Sequence, residues 1–318
     1  MNSKLDYHKL NSFVDDSKES EFFVDLLDLV TAECLDLGFE DKDAIATTFE
    51  KLWLPVALNL ATARQQKDKT YIQGILGGQG TGKTTLCIIL KLILNYLGFS
   101  VASLSIDDLY LTYADRQELK LKDSRLIWRG PPGTHDVELG LQTIEQCLQS
   151  NSNTDILMPR FDKSAYNGLG DRTNAEAIDK PDILLFEGWF VGVKPIEENC
   201  FSNCPHPILT NEDKQFAQDN NQRLQAYLPL WDKLDSLIIL YPKDYRLSKQ
   251  WRKEAERKMM ATGKAGMSDK QIDRFVEYFW QALHPKLFIK PLLKSADLVV
   301  EIKSDRSLGQ IYRARASG

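Results

Sequence analysis

The chain has 318 residues, 43% hydrophobic and 27% charged, which is the composition of a globular protein and excludes a disordered or low-complexity one. A net charge of −5 argues against bulk attraction to nucleic acid, and no apolar run is long enough to span a bilayer. The acidity is local: residues 1–70 hold 8 basic and 14 acidic side chains, while the remaining 248 hold 32 and 31.

The opening residues, "MNSKLDYHKLNSFVDDSKES", are polar and acidic, unlike a secretory or Arg-rich transit segment. Five scattered cysteines (Cys34, Cys87, Cys147, Cys200 and Cys204) fit reduced thiols, so a cytoplasmic location is expected. Residues 20–37 place Phe22, Phe23, Leu26, Leu27, Val30 and Cys34 at helical spacing. A second helix is expected from about Asp43, carrying Ile45, Phe49, Leu52 and Trp53, with Pro55 breaking or kinking it. Residues 1–69 therefore read as an N-terminal helical extension packed on the remainder of the chain.

From Thr70 the rhythm changes. Short apolar strands are expected at 71–76, 101–106, 155–159, 183–186, 236–240 and 298–302, with helices at 83–97, 137–149, 244–261 and 269–282. Strands alternating with helices imply an α/β fold with a mostly parallel sheet covered on both faces. The helix from Lys83 is apolar almost all round, which marks it as buried, and Gly98 suits a left-handed cap at its end.

Within "YIQGILGGQGTGKTTLCIIL", the run Gly77-Gly78-Gln79-Gly80-Thr81-Gly82-Lys83-Thr84 matches G-x-x-x-x-G-K-[ST] between a strand and a helix. Glycines let backbone N–H groups converge on phosphate oxygens, and the helix start adds the positive end of its dipole. Lys83 can reach the β- and γ-phosphates of a nucleoside triphosphate, Thr84 can place its hydroxyl on Mg²⁺, and Thr85 can reach another phosphate.

Acids at strand ends point to phosphoryl transfer. "DILLFEGWFVG" ends a strand in Glu187, placed to hold Mg²⁺ or to be an ordinary strand-end acid. It reads Glu-Gly, so the second acid that many ATPases use to activate water is missing. "VASLSIDDLYLT" ends in Asp107 and Asp108. Asp107 can act as the base for an acceptor hydroxyl; the alternative, which weighs more for Asp108 than for Asp107, is that the acids solvate a loop or cap a helix. "LIWRGPPGTHDVELG" carries Arg129, His135 and Asp136; Arg129 can fork onto a carboxylate or phosphate, and Asp136 can cap the next helix. "MPRFDKSAYNGLGDR" brings Arg160, Asp162, Lys163 and Arg172, which suit an anionic ligand or a solvated loop. The charged segment 244–282 is either a lid that places Arg252 or Arg257 over the phosphates or a solvated helix with an Arg252–Glu256 pair. Cys200, Cys204 and His206 resemble part of a metal site but read better as free groups. His8 and His284 show no chemistry. Neither the N-K-x-D motif of GTPase switches nor an L-S-G-G-Q stretch is present.

In order, "GGQGTGKTTL", "SIDDLYLT", "RGPPGTHD", "PRFDKSAYNGLGDR", "LLFEGWFVG", "QWRKEAER" and "GKAGMSD" resemble the D-glycerate 3-kinases of plants and cyanobacteria over about residues 70–302. These enzymes are similar to phosphoribulokinases, uridine kinases and bacterial pantothenate kinases. The resemblance implies a P-loop kinase domain over 70–318 with a five-stranded parallel core, acceptor loops and a helical lid at about 244–282. It implies ATP and Mg²⁺ as cofactors and glycerate as a small anionic substrate, in photorespiratory carbon salvage. It further implies Lys83 and Thr84 on ATP and Mg²⁺, Asp107 as base, Glu187 as strand-end acid and Arg252 in the lid. Arg129, His135, Asp136, Arg160 and Lys163 then line the acceptor site. Leu109 stands where relatives often carry an aromatic residue.

Overall fold

The computed structural model describes residues 16–149, 155–261, 263 and 266–314, with side chains described from residue 21 onward. The opening residues with His8, and positions 262, 264 and 265 of the expected lid, lie outside that set. In chain order the first elements are α1 (Asp16–Asp36), α2 (Lys42–Thr48), α3 (Leu54–Gln65), β1 (Tyr71–Gly77), α4 (Lys83–Tyr96), β2 (Val101–Ser105), α5 (Tyr113–Lys122) and α6 (Val137–Leu148). Next come β3 (Ile156–Asp162), α7 (Ala165–Gly168), β4 (Asp171–Ile178), β5 (Ile183–Gly188), α8 (Asn211–Arg223) and α9 (Leu228–Trp231). The chain continues with β6 (Ser236–Pro242), α10 (Leu247–Ala261), α11 (Asp269–Ala282), α12 (Pro285–Leu292), β7 (Leu298–Ile302) and β8 (Leu308–Tyr312).

One sheet runs β2-β5-β1-β6-β7-β8. Its first five strands are parallel, and β8 returns antiparallel at the edge. The period-2 alternation of side chains accounts for the two covered faces. Along β5, Ile183 and Leu185 enter the core shared with α1–α4, while Leu184 and Phe186 enter the core shared with α6, α8 and α12. Helix α4 lies between the sheet and α1–α3, which is why Leu86, Cys87, Ile89, Leu90, Ile93 and Leu94 are all buried. Gly98 closes it at φ +85. Among the described residues no helix is long and apolar enough to cross a membrane.

Three local expectations change. The strand expected at 155–159 lies outside the main sheet and pairs antiparallel with β4. Its side chains alternate, with Ile156 and Met158 buried and Leu157 exposed, as befits a strand with one covered face. β4, with mostly exposed residues, has too little apolar pattern to announce itself. Pro55 does not break the second helix. A π-helical turn over Phe49–Trp53 carries the chain into α3, and the Leu54 N–H reaches back to Phe49 O. Widening the turn accommodates a ring that supplies no N–H and crowds the preceding turn.

The α1–α3 helices share one continuous apolar core with α4 and the sheet. Phe49 is fully buried there and meets Phe23 edge-on at 5.3 Å. Phe49→Ala should therefore lower global stability by about 3–5 kcal/mol. Urea unfolding followed by both fluorescence and circular dichroism should remain a single transition. Two separate transitions, with only the earlier one moved, would contradict a shared core.

Candidate active site

The loop after β1 is shaped by close approaches. A side chain on Gly77 would meet Thr81 Oγ1 at 2.5 Å, and one on Gly80 would meet Trp251 Cβ at 2.6 Å. Gly80 and Gly82 take φ values of +78 and +90, where other residues are strained. Gly82 begins α4 with no side-chain cap, so the first N–H groups of the helix are left for a ligand. Thr81 is buried and its hydroxyl donates to Gly78 O at 2.8 Å. Thr84 is exposed on the first turn and Thr85 is half-buried. The Lys83 ammonium lies 3.3 Å from Gly78 O and 4.0 Å from Glu187 Oε2.

Glu187 sits on β5 in register with Ile75 of β1 on one side and Ser105 of β2 on the other. Its Oε2 is buried and has no hydrogen-bond partner. A buried carboxylate oxygen beside a bare backbone cradle and an exposed Thr84 hydroxyl suits Mg²⁺ carried on a triphosphate.

Two residues beyond Ser105 lies Asp107. The tight turn Ile106–Leu109 sorts the two acids. Ser105 and Asp108 form a reciprocal cap, with Ser105 N–H donating to Asp108 Oδ2 at 3.0 Å, and Asp108 also meets Arg160 at 3.3 Å. Asp107 is left facing the crevice. Tyr110 donates to its Oδ1 at 2.8 Å, and Lys163 Nζ reaches its Oδ2 at 2.6 Å. Burial pushes this carboxyl up, but the Lys163 ammonium and the two hydrogen bonds outweigh it and hold Asp107 below the usual carboxylate range.

His135 stacks on Tyr110 with ring centres 4.6 Å apart and meets Phe190 edge-on. Its Nδ1 lies 2.8 Å from the Tyr227 hydroxyl, and its buried Nε2 has no partner. Burial pushes the imidazole down to about 3, so it is neutral at physiological pH. Arg129 reaches the Gly168 and Leu169 carbonyls at 2.8 and 2.9 Å, with its guanidinium 5.9 Å from the Tyr110 ring centre and 5.5 Å from that of Phe161. Buried Arg116 fastens the same turn through Leu169 O and Gly170 O.

Asp136 and Arg160 are engaged within the chain. Asp136 Oδ1 caps α6 through Leu139 N–H, and its Oδ2 takes Arg172 at 2.7 Å. Arg160 forks onto Glu176 at 2.9 and 2.7 Å and reaches Ser103 O with its remaining nitrogen. Asp107, Lys163, His135 and Arg129 thus gather around Tyr110, while Asp136 and Arg160 brace the surrounding loops. Tyr110 and Arg116 were absent from the sequence-derived set. Tyr110 was recoverable as the residue three positions after Asp107 on one turn, whereas nothing local marks Arg116.

Trp251 of α10 packs on Gly80 and donates its indole N–H to Ser304 O at 3.1 Å. Arg252 pairs with Glu256 at 2.9 Å, the intrahelical alternative, and its Nε is buried without a hydrogen-bond partner. Arg257 pairs with Asp269 at 3.0 Å. Cys200, Cys204 and the three buried cysteines are free thiols, and no metal-binding cluster of His, Cys, Asp or Glu is found among the described residues.

No protein-family model matches the chain. It is 31% identical over 219 residues to the uncharacterized kinase mug58 of Schizosaccharomyces pombe, covering 66% of this chain and 79% of that one. It is 32% identical over 253 residues to the probable ATP-dependent kinase TDA10 of Saccharomyces cerevisiae, covering 73% and 84%. The chloroplastic D-glycerate 3-kinase of Arabidopsis thaliana is 32% identical over 251 residues, 75% of this chain. A solved D-glycerate 3-kinase from Cryptococcus neoformans superposes with a TM-score of 0.72 at 26% identity, covering 81% of this chain and 96% of that one. This chain belongs to the D-glycerate 3-kinase-like P-loop kinases. Its α/β fold, a mostly parallel sheet flanked by helices, is the fold of these kinases. The matched region spans about half, 53%, of the Arabidopsis relative's length.

Two buried imidazoles give the fold an acid limit. Burial holds His135 at about 3 and His284 at about 4, against roughly 6.5 for an exposed imidazole. Below that value the unfolded chain takes up protons that the folded chain refuses. Stability is therefore fullest above about pH 6.5 and falls with pH toward 5, by up to about 1.4 kcal/mol per pH unit for each imidazole. Urea titrations across this range should show the slope, and His284→Gln should make it shallower by about one proton's worth. A flat profile in the parent protein would contradict both burials.

Proposed function

We propose that the chain transfers the γ-phosphoryl group of ATP to the 3-hydroxyl of D-glycerate, giving ADP and 3-phospho-D-glycerate. The observation that carries this reading is the Asp107–Lys163 pair at the end of β2, one strand from Glu187 and two from the phosphate loop. A base and a cation side by side suit an acceptor that is both an alcohol and an anion.

In this reading the backbone of Gly77, Gly78, Gln79, Gly80, Thr81 and Gly82 cradles the phosphates, with Thr85 on a further oxygen. Lys83 leaves Gly78 O for the β- and γ-phosphates. Thr84 and Glu187 would hold Mg²⁺, which would supply screening of the charge on the phosphate oxygens. Arg252, beside Trp251 at the loop, exchanges Glu256 for a phosphate. The acceptor carboxylate draws Lys163 away and meets Arg129. Freed of its counter-charge, Asp107 becomes a stronger base and takes the proton of the attacking hydroxyl as the O–P bond forms. Until an acceptor arrives, the ion pair keeps Asp107 from activating water. His135 donates to the acceptor, while Asp136 and Arg160 orient Arg172 and the β3–β4 arm. Residues 70–318 carry this machinery, with the lid at about 244–282, and helices α1–α3 of the N-terminal extension buttress α4.

Two measurements test the reading. Asp107→Asn should lower kcat by roughly 10²–10⁴-fold while ATP affinity stays near the parent value; near-normal turnover would remove Asp107 from the chemistry. ADP formation measured across D-glycerate, pantothenate, uridine and ribulose 5-phosphate should be fastest with D-glycerate. A preference for uridine, which lacks an anionic group, would overturn the role given to Lys163 and Arg129.

A further inference from the structure

Tyr227 and His135 lie 92 residues apart in sequence and meet through one buried hydrogen bond of 2.8 Å. Tyr227 is wholly buried, packed against Phe190 and Trp231. Its hydroxyl oxygen already accepts the Gly133 N–H at 2.8 Å. Burial raises the phenol, so the hydroxyl keeps its proton. That proton needs an acceptor, and His135 Nδ1 is the one beside it.

A bare Nδ1 on a neutral imidazole puts the ring proton on Nε2. Nε2 is on the side of the ring turned away from Tyr227, fully buried and without a partner. The whole residue is 5% exposed and stacks on Tyr110, whose hydroxyl bonds Asp107. An orphan N–H inside a protein is costly, and its position beside the Asp107 corner gives it a use.

The geometry points to Tyr227 as a positioning residue: by donating to Nδ1 it locks His135 as an Nε2–H donor, aimed at an oxygen lone pair of the bound acceptor. The site is then built for a hydroxy acid, and a group with no lone pair to offer, such as an ammonium, is disfavoured at that point. The assignment rests on the acceptor site proposed above. Tyr227 itself touches neither substrate nor nucleotide.

The test combines spectroscopy with kinetics. In protein labelled with ¹⁵N-histidine, with His135 assigned by its loss in His135→Gln, the spectrum should show a protonated Nε2 and a bare Nδ1. Adding D-glycerate should shift the Nε2–H resonance. Tyr227→Phe should release the fixed tautomer and raise KM for D-glycerate by roughly three- to tenfold, with kcat and KM for ATP little changed. In a His135→Gln background the same change should add nothing further, because the two residues act as a unit. A protonated Nδ1 in the parent protein, an unchanged KM in Tyr227→Phe, or additive losses in the double variant would each overturn the proposal. Absence of turnover on D-glycerate by the parent would count against the acceptor assignment alone, since the nitrogen spectrum decides the tautomer without substrate.

Discussion

Parallel pairing of β5 between β1 and β2 is the constraint on which the rest of the site depends. Register fixes Glu187 opposite Ile75 on one side and Ser105 on the other. The phosphate loop leaves β1 two residues after Ile75, and Asp107 follows Ser105 by two. Both groups therefore emerge at the carboxyl ends of the strands, with Glu187 between them. No side-chain contact has to bring the loop ahead of Lys83 and the Asp107 turn together, because the backbone hydrogen bonds of three strands already do so. A register slip would carry Glu187 to the opposite face and undo the arrangement.

Three cations of the site each lie against a neighbour within the chain. Lys83 rests on Gly78 O near Glu187, Lys163 on Asp107, and Arg252 on Glu256. Of these, Lys83 and Glu187 are the more buried, where an unpaired ion would be costly, while the Lys163 side chain is largely exposed. The pairings also define what a substrate must offer. A triphosphate can replace Gly78 O at Lys83, and a carboxylate can replace Asp107 at Lys163. The second exchange alters the base itself, because the ammonium is what holds the Asp107 carboxyl low. In the proposed reaction, recognition of the acceptor anion and activation of the acceptor hydroxyl become one event.

How much of this was legible in the chain depends on how local each feature is. The phosphate loop, Glu187 and Asp107 announce themselves because each closes an apolar strand within a few residues. The parallel core follows from the same alternation. Arg160 and Asp136 carry the right chemistry in the right blocks, yet their partners, Glu176 and Arg172, are supplied by a strand too polar to be read. Within the β3–β4 arm only β3 is legible, and β4 is not for the same reason. Tyr227 lies 92 residues from His135, and only the fold brings them together. Pro55 misled in the other direction, because a π turn absorbs it.

The proposed chemistry requires the bare loop ahead of Lys83 to grip the triphosphate of ATP. Calorimetric titration of MgATP into the parent protein and into Lys83→Met reads this directly. Saturable binding by the parent, weakened at least about a hundredfold in a variant that remains folded, is the predicted result. No binding by the parent, or equal binding by both, would contradict it.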